Sequence, residues 1–413
     1  CMNPTCAERG CPLGNRVPVW IDLAERRRWA EASEILHATN NFPEFTASIC
    51  PAPCQQACKQ GRQTYPVPIR RIEREIVDHA FAAGLVVPQP SGHRTGRRVA
   101  VVGSGPAGLT VAQQLARRGH DVVVYEKDEA PGGLLRWGIP DHRLPKALID
   151  RRLRQLEAEG VTFRTSVEVG VDVPAGELLQ QYDAVCLATG AAAARDLPLP
   201  GRRRPGIHFA LEFLRQANDR AAGRAVAAAG AISAEGKTVV VLGGGETGND
   251  CAETALAQGA REVHQWEILP PSDVTADPTH PPAGGVRRRW SVATRQFGAD
   301  SGNGRIRLTA RAVRWSHSAA GPRMTETDEE FCQTADLVLL ALGFDTPVPA
   351  PLAEGLGLKT DPAGRLVLRD RAASTPGVFA VGDLAGGPGL VVTAIADGRE
   401  VAEAIDEYLN ERL

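Results

Sequence analysis

Residues 98–108 read RVAVVGSGPAG and decide the fold of the surrounding chain. The apolar run predicts a buried strand, and the glycines that follow it permit a tight turn into a helix. Backbone N–H groups at the start of such a helix can approach a pyrophosphate. Glu126 ends the next predicted strand, where the ribose of a bound dinucleotide needs a carboxylate. The predicted contacts of this first nucleotide site are Gly103, Gly105, Pro106, Ala107, Gly108 and Glu126.

The same pattern occurs a second time in the chain. Residues 238–248 read TVVVLGGGETG, and a further strand is expected over 262–267. Each unit is followed by an apolar strand that ends in glycine, at 183–190 and at 335–343, which indicates that the second unit is inserted into the first. One glycine loop suits FAD and the other suits a nicotinamide dinucleotide. The predicted contacts of the second site are Gly243, Gly245, Glu246, Thr247, Gly248 and Glu267.

Glu267 predicts which nicotinamide dinucleotide is preferred. A carboxylate at this strand end would bond both ribose hydroxyls of NADH and repel the additional phosphate of NADPH. Two alternatives stay open at this point. Glu267 could point into solvent, and the run Arg287, Arg288 and Arg289 could fold back to accept the phosphate. The loop over 270–285, which is dense in Pro, Asp, Thr and Gly, is expected to be irregular.

A late strand predicts a second flavin contact. The strand over 377–383 ends in Gly382 and Asp383, and a helix is expected from about residue 392. A short acid at this position can bond the ribityl chain of a flavin. The alternative is an ordinary turn in which Asp383 caps a helix.

Cysteines crowd the N-terminal segment. Six of the nine fall within the first 58 residues, namely Cys1, Cys6, Cys11, Cys50, Cys54 and Cys58. Cytosolic disulfides are rare, and thiolates on short loops are the soft ligands that iron–sulfur clusters need. Zinc is the alternative, although the spacings lack the Cys-x2-Cys knuckles that zinc sites usually show. The isolated Cys186, Cys251 and Cys332 are expected to be small core residues.

Length and composition limit the remaining possibilities. A chain of 413 residues predicts two or three domains. The 47 basic and 49 acidic residues give a net charge of −2, which provides no reason to bind nucleic acid or an anionic membrane. The sequence contains no apolar run of about 20 residues and no signal peptide, so a cytoplasmic location is predicted.

These features together predict an α/β fold class. We expect two Rossmann-like nucleotide-binding domains, with the NAD(P)H domain inserted in the FAD domain, preceded by an α-helical iron–sulfur domain. Helical patterns over 29–37 and 69–76 support the helical part, and residues 88–96 read as a linker. The predicted boundaries are 1–95 for the iron–sulfur domain, 96–203 with 345–413 for the FAD domain, and 204–344 for the NAD(P)H domain.

The sequence resembles the small (beta) subunit of glutamate synthase and its relatives. These include the N-terminal part of dihydropyrimidine dehydrogenase and the large subunit of the transhydrogenases that couple ferredoxin to NADPH. Beside the two glycine loops, the matching segments are GCPLGN (10–15), LHATNNFPEFT (36–46), CPAPC (50–54), GGLLRWGIPDHRLPK (132–146), ATG (188–190), GGGETGNDC (243–251) and LVVTAIADGRE (390–400). The resemblance covers essentially the whole chain.

The resemblance implies a function. NAD(P)H would reduce FAD, and electrons would pass singly through two [4Fe-4S] clusters to a large flavoprotein subunit that makes glutamate from 2-oxoglutarate and glutamine. The chain itself has no nucleophile motif for glutamine hydrolysis. Two other hypotheses remain open: an oxidoreductase of the same fold that serves another acceptor such as ferredoxin, and a cluster-free binding module. A disulfide reductase is disfavoured, because no redox-active cysteine pair lies near the flavin loop or in the inserted domain.

The resemblance also implies additional site residues. Gly133, Leu134 and Gly190 would join the flavin site. One cluster would use Cys1, Cys6 and Cys58 with a further cysteine that we expect before residue 1. The other cluster would use Cys11, Cys50, Cys54 and the carboxylate of Glu73.

Overall fold

The structure is a computed structural model, and it describes residues 4–62, 65–191, 193–271, 284–300, 304–318 and 321–411. It consists of two compact units. The first unit comprises Cys1–Arg136, His142–Ala193 and Asp345–Leu413, and the second comprises Trp137–Asp141 and Ala194–Phe344. The chain therefore leaves the first unit and later returns to it, as expected for an inserted domain. The finer division into three domains stays a prediction, because the N-terminal helices belong to the first unit.

The first unit begins with a helical module, defined here as residues 4–82. Its helices are α1 (Val17–Glu25), α2 (Trp29–Thr39), α3 (Pro43–Ile49), α4 (Pro53–Gln56) and α5 (Ile69–Ala82), with a π-helical turn at Cys6–Gly10 and a 3-10 turn at Lys59–Arg62. Trp20, Leu36, Ile69 and Ile76 lie in its core. The apolar face of α5 supplies the last two, which confirms the amphipathic helix that the isoleucine spacing predicts. Residues 88–96 contain no helix or strand, in agreement with the predicted linker.

A βα alternation follows the linker. Its elements are β1 (Arg98–Val102), α6 (Pro106–Arg117), β2 (Asp121–Tyr125), α7 (Leu134–Trp137), α8 (Lys146–Ala158), β3 (Thr162–Arg164), α9 (Ala175–Gln181), β4 (Ala184–Leu187) and β5 (Ala193–Ala194).

The second unit repeats the alternation and adds further strands. Its elements are β6 (Ile207–Phe209), α10 (Ala210–Ala221), β7 (Thr238–Leu242), α11 (Glu246–Ala257), β8 (Glu262–Trp266), β9 (Val286–Arg289), β10 (Val292–Ala299), β11 (Ile306–Ser318), β12 (Gly321–Ala335) and β13 (Leu337–Leu340). The chain then continues with β14 (Phe344–Asp345), α12 (Ala350–Gly355), β15 (Val378–Ala380), α13 (Asp383–Gly386) and α14 (Val391–Asn410). Most of the predicted irregular loop, over 272–283, lies outside the described residues.

Each unit has a parallel five-stranded sheet. The first runs β15-β4-β1-β2-β3 and the second runs β6-β13-β7-β8-β9. Chain-consecutive strands lie on one side of β1 and of β7, and a strand that returns from later in the chain lies on the other side. Ligands of open α/β sheets bind at the carboxyl end of such a switch point. Both glycine loops follow these two strands, and the predicted fold class is confirmed.

A three-stranded antiparallel sheet, β10-β11-β12, was not predicted from the sequence. Strand β12 is mostly polar and exposed, so it lacks the alternating apolar signal by which strands are recognised. The prediction for Cys332 was wrong for the same reason. This thiol lies exposed on β12, whereas Cys186 and Cys251 are buried as expected. In the described part of the chain, no helix is both long and apolar enough to cross a bilayer.

Candidate functional site

The first glycine loop leaves a space in front of helix α6. Gly103 has a φ of +107°, and a Cβ on it would lie 2.3 Å from the carbonyl oxygen of Ala188. A Cβ on Gly108 would lie 2.2 Å from the carbonyl oxygen of Gly103. Packing therefore requires glycine at these two positions. Gly105 differs, because its φ of −65° is ordinary and a Cβ there would meet no atom within 4 Å. The open space lies at the positive end of a helix, where a phosphate would fit.

Two distant segments meet the first loop at this point. A Cβ on Gly133, where φ is +51°, would lie 2.9 Å from the Cα of Gly105. A Cβ on Gly382, where φ is +67°, would lie 2.8 Å from the Cβ of Ala107. Residues that are far apart in sequence thus form one cradle around the start of α6.

The other residues predicted for this site border the same segments. Pro106 is the first residue of α6, and Leu134 begins α7 with 40% of its surface exposed. Gly190 stands in a left-handed turn with a φ of +70° shortly after β4, and a Cβ there would meet no atom within 4 Å.

Glu126 lies against the first loop and is buried. Its Oε2 accepts hydrogen bonds from the backbone N–H of Ser104, at 3.1 Å, and from the hydroxyl of Ser104. Its Oε1 accepts one from the N–H of Asp128 at 2.9 Å. The Ser104 hydroxyl in turn accepts a bond from the N–H of Gly132 at 2.9 Å. The carboxylate therefore organises the loop and does not simply end a strand in solvent.

The second loop reproduces this geometry. A Cβ on Gly243, where φ is +123°, would lie 2.1 Å from the carbonyl oxygen of Ala341. A Cβ on Gly248 would lie 2.1 Å from the carbonyl oxygen of Gly243, whereas one on Gly245 would meet no atom within 4 Å. Each sheet thus carries one loop whose middle glycine leaves a space in front of a helix. Glu246 and Thr247 are the first two residues of that helix, α11.

Glu267 occupies the place that Glu126 has in the first unit. Its Oε2 accepts a hydrogen bond from the N–H of Gly244 at 2.5 Å, and its Oε1 accepts one from the N–H of Leu269 at 2.8 Å. The side chain is therefore turned toward the loop. This geometry favours the reading in which the carboxylate stands beside the ribose of a bound nucleotide.

The three arginines that could accept the additional phosphate of NADPH lie on β9, next to β8. Arg288 donates from Nε to the amide oxygen of Gln265 at 2.9 Å. Arg287 stands 3.7 Å from Glu262, and Arg289 stacks 4.1 Å from the ring centroid of Phe331. Glu267 donates its backbone N–H to the carbonyl oxygen of Arg289 at 2.9 Å. In the part of the chain that the structure describes, no hydrogen bond or ion pair joins the three guanidinium groups to the Glu267 carboxylate.

Asp383 begins the short helix α13, and its Oδ1 accepts a hydrogen bond from the N–H of Gly389 at 3.1 Å. Burial raises the pKa of this carboxyl. The neighbouring Gly382 donates its N–H to Oδ2 of Asp397 at 2.6 Å. Sequence reasoning missed Asp397, although it lies in the quoted segment 390–400. Its only signal is a polar residue in an otherwise apolar helical pattern.

The described cysteines of the helical module fall into two groups. Burial, followed by the charges of Glu73, Cys11 and Cys50, raises the pKa of the Cys54 thiol. The pKa of the Cys50 thiol is raised to about 12, chiefly by burial and then by Glu73 and Cys11. Cys11, Cys50, Cys54 and Glu73 are therefore neighbours in space.

The second group contains Cys6 and Cys58. Burial raises the pKa of Cys6, and the charge of Cys58 adds to the shift. Cys1 lies outside the described residues. Cys11, from the first group, also has a small effect on Cys6. The assignment of these residues to two clusters remains a prediction. The described residues contain no group of three His, Cys, Asp or Glu side chains arranged for a single metal ion. Ligands of a four-iron cluster bind different iron atoms and need not converge on one point.

Glu73 is buried beside these thiols. Its Oε1 accepts hydrogen bonds from the hydroxyl of Thr46 at 2.8 Å and from the amide of Asn40 at 3.1 Å. Burial raises the pKa of Glu73 to about 7. A bound cation would offset the free-energy cost of burying this negative charge among thiols. The donor set therefore fits an iron–sulfur centre.

The helical module packs on helices α6, α8 and α14 of the first unit through polar contacts. Arg152 on α8 donates to both carboxylate oxygens of Glu44, from Nε at 2.7 Å and from Nη2 at 2.6 Å, and both side chains are almost fully buried. Asn41 donates to the side-chain oxygen of Gln113 at 2.8 Å and accepts from Arg399 at 2.7 Å. The NNFPE part of the segment 36–46 is thus a docking element, since its polar groups pair with α6, α8 and α14.

His37 makes this contact sensitive to acid. Burial and the positive charge of Arg152 lower the pKa of His37 to about 4. Between about pH 4 and 6.5, His37 therefore binds no proton in the folded protein but does bind one in the unfolded chain. The free energy of unfolding thus decreases as the pH is lowered through this range. We expect the free energy of unfolding to drop by about 2 kcal/mol from this group between pH 7 and pH 5. Urea unfolding at the two pH values measures it.

The variant His37→Gln should lack this part of the pH dependence. His79→Gln is the matched control, because His79 is exposed on α5. The same loss of stability at pH 5 in the wild type and in His37→Gln would contradict the assignment.

The fold and these sites define a class of protein, a flavoprotein oxidoreductase with a pyridine-nucleotide site and an N-terminal iron–sulfur module. Residues 97–398 match the family model for pyridine nucleotide-disulphide oxidoreductases. Residues 1–85 match the model for dihydropyrimidine dehydrogenase domain II, 4Fe-4S cluster. The chain is therefore an FAD-dependent NAD(P)H oxidoreductase whose cofactors are FAD, NAD(P)H and [4Fe-4S] clusters. The match to an iron–sulfur domain displaces both the zinc alternative and the cluster-free binding module.

The chain belongs to the family of glutamate synthase small chains. It is 47% identical to the glutamate synthase [NADPH] small chain of Mycobacterium tuberculosis, over 99% of this chain and 86% of that protein. The corresponding protein of Bacillus subtilis is 40% identical over 97% of this chain and 85% of that protein. The glutamate synthase [NADH] of Schizosaccharomyces pombe is 41% identical over 98% of this chain, which corresponds to 20% of the longer yeast protein.

Solved structures agree on the fold. FprA from Mycobacterium tuberculosis in complex with NADPH matches with a TM-score of 0.62 and 21% identity, over 76% of this chain and 85% of that chain. The thioredoxin reductase of T. acidophilum matches with a TM-score of 0.54 and 20% identity, over 77% of this chain and 100% of that chain.

Proposed function

We propose that the chain is the electron-input subunit of a glutamate synthase in the cytoplasm. It would oxidise NAD(P)H at FAD and pass electrons through [4Fe-4S] clusters to a large flavoprotein subunit that makes glutamate from 2-oxoglutarate and glutamine. The observation that carries the proposal is the presence of two open glycine loops and a thiol-rich helical module in one chain. The relatives that are named glutamate synthase small chains support a large subunit as the partner.

The residues of the chain have distinct proposed roles. The space at Gly105 would admit the pyrophosphate of FAD at the start of α6. Glu126 would accept a hydrogen bond from a ribose at Oε1, since that oxygen accepts one described bond and has a further lone pair. Asp383 would bond the ribityl chain. Gly245 would admit the pyrophosphate of the nicotinamide dinucleotide at the start of α11, and Glu267 would accept hydrogen bonds from its ribose. FAD supplies the change from two-electron to one-electron chemistry, and the clusters supply one-electron carriers.

Anaerobic titration of the purified chain tests the proposal. Reduced nicotinamide dinucleotide should bleach the flavin absorbance, and the chain alone should hydrolyse no glutamine. Native co-purification should recover a large flavoprotein, and mixing the two should yield glutamate from 2-oxoglutarate and glutamine. Recovery of a ferredoxin in place of the large flavoprotein, with no glutamate formed, would contradict the proposed partner.

The preferred nicotinamide dinucleotide is a separate prediction. A phosphate next to the carboxylate of Glu267 would be repelled, so we expect NADH to be used with the higher kcat/KM. The variant Glu267→Ala should raise kcat/KM for NADPH by about tenfold, which corresponds to about 1.4 kcal/mol. Steady-state kinetics with both dinucleotides measures the ratio.

Glu235→Ala is the control, because Glu235 is exposed in the second unit and no described side-chain contact joins it to the glycine loop or to Arg287, Arg288 and Arg289. A wild-type ratio in favour of NADPH would reject the role of Glu267. It would point to Arg287, Arg288 and Arg289 on the next strand.

A further inference from the structure

A hairpin turn near the predicted flavin site has an unusual backbone. Arg369 and Ala372 exchange both backbone hydrogen bonds at 2.9 Å, so the turn between them contains only Asp370 and Arg371. The φ angles of these two residues are +50° and +69°. A two-residue turn with both φ angles positive is of type I′, which normally takes Asn-Gly because side chains are disfavoured in this region. Arginine is therefore unusual at the second position of this turn.

The side chain of Arg371 forms an ion pair with a buried carboxylate. Its Nη2 lies 2.6 Å from Oδ1 of Asp397, on helix α14. The Asp397 side chain is only 7% exposed, and its Oδ2 accepts the hydrogen bond from the N–H of Gly382. One buried carboxylate therefore connects the strained turn with the glycine that precedes Asp383.

Gly382 depends on this support. Its φ of +67° and ψ of −145° describe a conformation that is almost restricted to glycine. It faces Ala107 at the start of α6, in the cradle around Gly105. Without Asp397, the N–H of Gly382 would lose its described partner, and the orientation of Asp383 would depend on the short helix α13 alone.

The turn is also fixed to the strand that leads to this glycine. The carbonyl oxygen of Arg371 accepts a hydrogen bond from the N–H of Ala380 at 3.0 Å, at the end of β15. The main chain and the side chain of one residue thus hold both the strand end and, through Asp397, the residue two positions beyond it. Glycine at position 371 would relieve the turn and would lose the second contact.

We propose that Arg371 and Asp397 are positioning residues for flavin binding, which hold Gly382 and Asp383 in the conformation that receives FAD. The proposal rests on the proposed role of Gly382 and Asp383 in the flavin site. An unfavourable backbone conformation persists only where surrounding contacts hold it, and such residues cluster at ligand-binding sites. A purely structural turn would gain stability from glycine.

The full-length chain with the variants Arg371→Gly and Asp397→Asn tests the proposal. FAD dissociation constants are measured by quenching of flavin fluorescence on titration of the deflavinated protein, and thermal unfolding of that protein is followed by circular dichroism. We expect Arg371→Gly to keep or raise Tm and to weaken FAD binding by about tenfold or more. Asp397→Asn should weaken FAD binding at least as much, and Arg371→Lys should recover part of the affinity.

Asp370→Gly is the matched control, since it relieves the same turn and leaves the pair of Arg371 and Asp397 intact. It should keep the FAD affinity of the wild type. FAD affinity within about twofold of wild type in both Arg371→Gly and Asp397→Asn would overturn the proposal. A fall in Tm of Arg371→Gly with unchanged FAD affinity would overturn it too, because the pair would then be structural. A wild-type protein that bound no FAD would instead contradict the proposed function. The two results therefore distinguish a wrong function from a wrong role for Arg371 and Asp397.

Discussion

The variant Gly105→Leu is expected to give a folded protein that no longer retains FAD. A Cβ at Gly105 meets no protein atom within 4 Å and φ is −65°, so the side chain fits the fold but fills the space in front of α6. Loss of two charge-assisted hydrogen bonds to the pyrophosphate, at about 1.5–3 kcal/mol each, predicts a fall in FAD affinity of at least about a hundredfold. Flavin absorbance per protein and FAD titration measure it.

Gly245→Leu is the matched variant in the second unit, where the glycine has the same open surroundings. It should keep FAD at full occupancy and lose reduction by NAD(P)H. With FAD removed from all three proteins, the free energy of unfolding of both variants should lie within about 0.5 kcal/mol of that of the wild type. Full FAD occupancy in Gly105→Leu would refute the assignment of the first loop to the flavin.

The variant Cys58→Ala is expected to remove one iron–sulfur cluster and keep the other. The charge of Cys58, and to a smaller extent that of Cys11, acts on Cys6. The family resemblance assigns Cys6 and Cys58 to one cluster and Cys11, Cys50 and Cys54 to the other. Loss of this thiolate ligand should therefore affect only the cluster assigned to Cys1, Cys6 and Cys58, and it should remove about four irons per flavin. Electron paramagnetic resonance of the reduced protein, together with iron analysis, measures the result.

Cys54→Ala should give the converse pattern, with the other cluster lost. Cys332→Ser is the control, because this thiol is exposed on β12 in the second unit. Simultaneous loss of both clusters in Cys58→Ala, with Cys332→Ser unaffected, would leave the assignment of ligands to clusters without support.

Much of the fold can be predicted from short segments of sequence. The strand, glycine loop and helix are continuous in sequence, over 98–117 in the first unit and 238–257 in the second. The requirement for glycine at Gly103 and Gly243 arises from local backbone geometry. The assignment of the cysteines to two clusters comes only from resemblance to a family, and it stays a prediction. Spacing alone does not state which of Cys6 and Cys11 pairs with Cys58.

The antiparallel sheet β10-β11-β12 could not be predicted in this way. Its longest strand, β12, is mostly exposed and polar, so no periodic apolar pattern distinguishes it from a loop. The expectation that Cys332 is a core residue failed with it, since burial depends on which face a strand presents and not on the residue type.

By itself, the sequence determined that this chain has two Rossmann-like units, one inserted in the other, behind a cysteine-rich helical module. These features follow from local patterns of apolar residues, glycine and cysteine. Only the tertiary structure decided which distant residues meet. It brought Gly133 to Gly105, Gly382 to Ala107, Glu73 to Cys54, and Arg371 through Asp397 to Gly382. Such contacts depend on how sheets and helices pack over long sequence separations, and no local period encodes them.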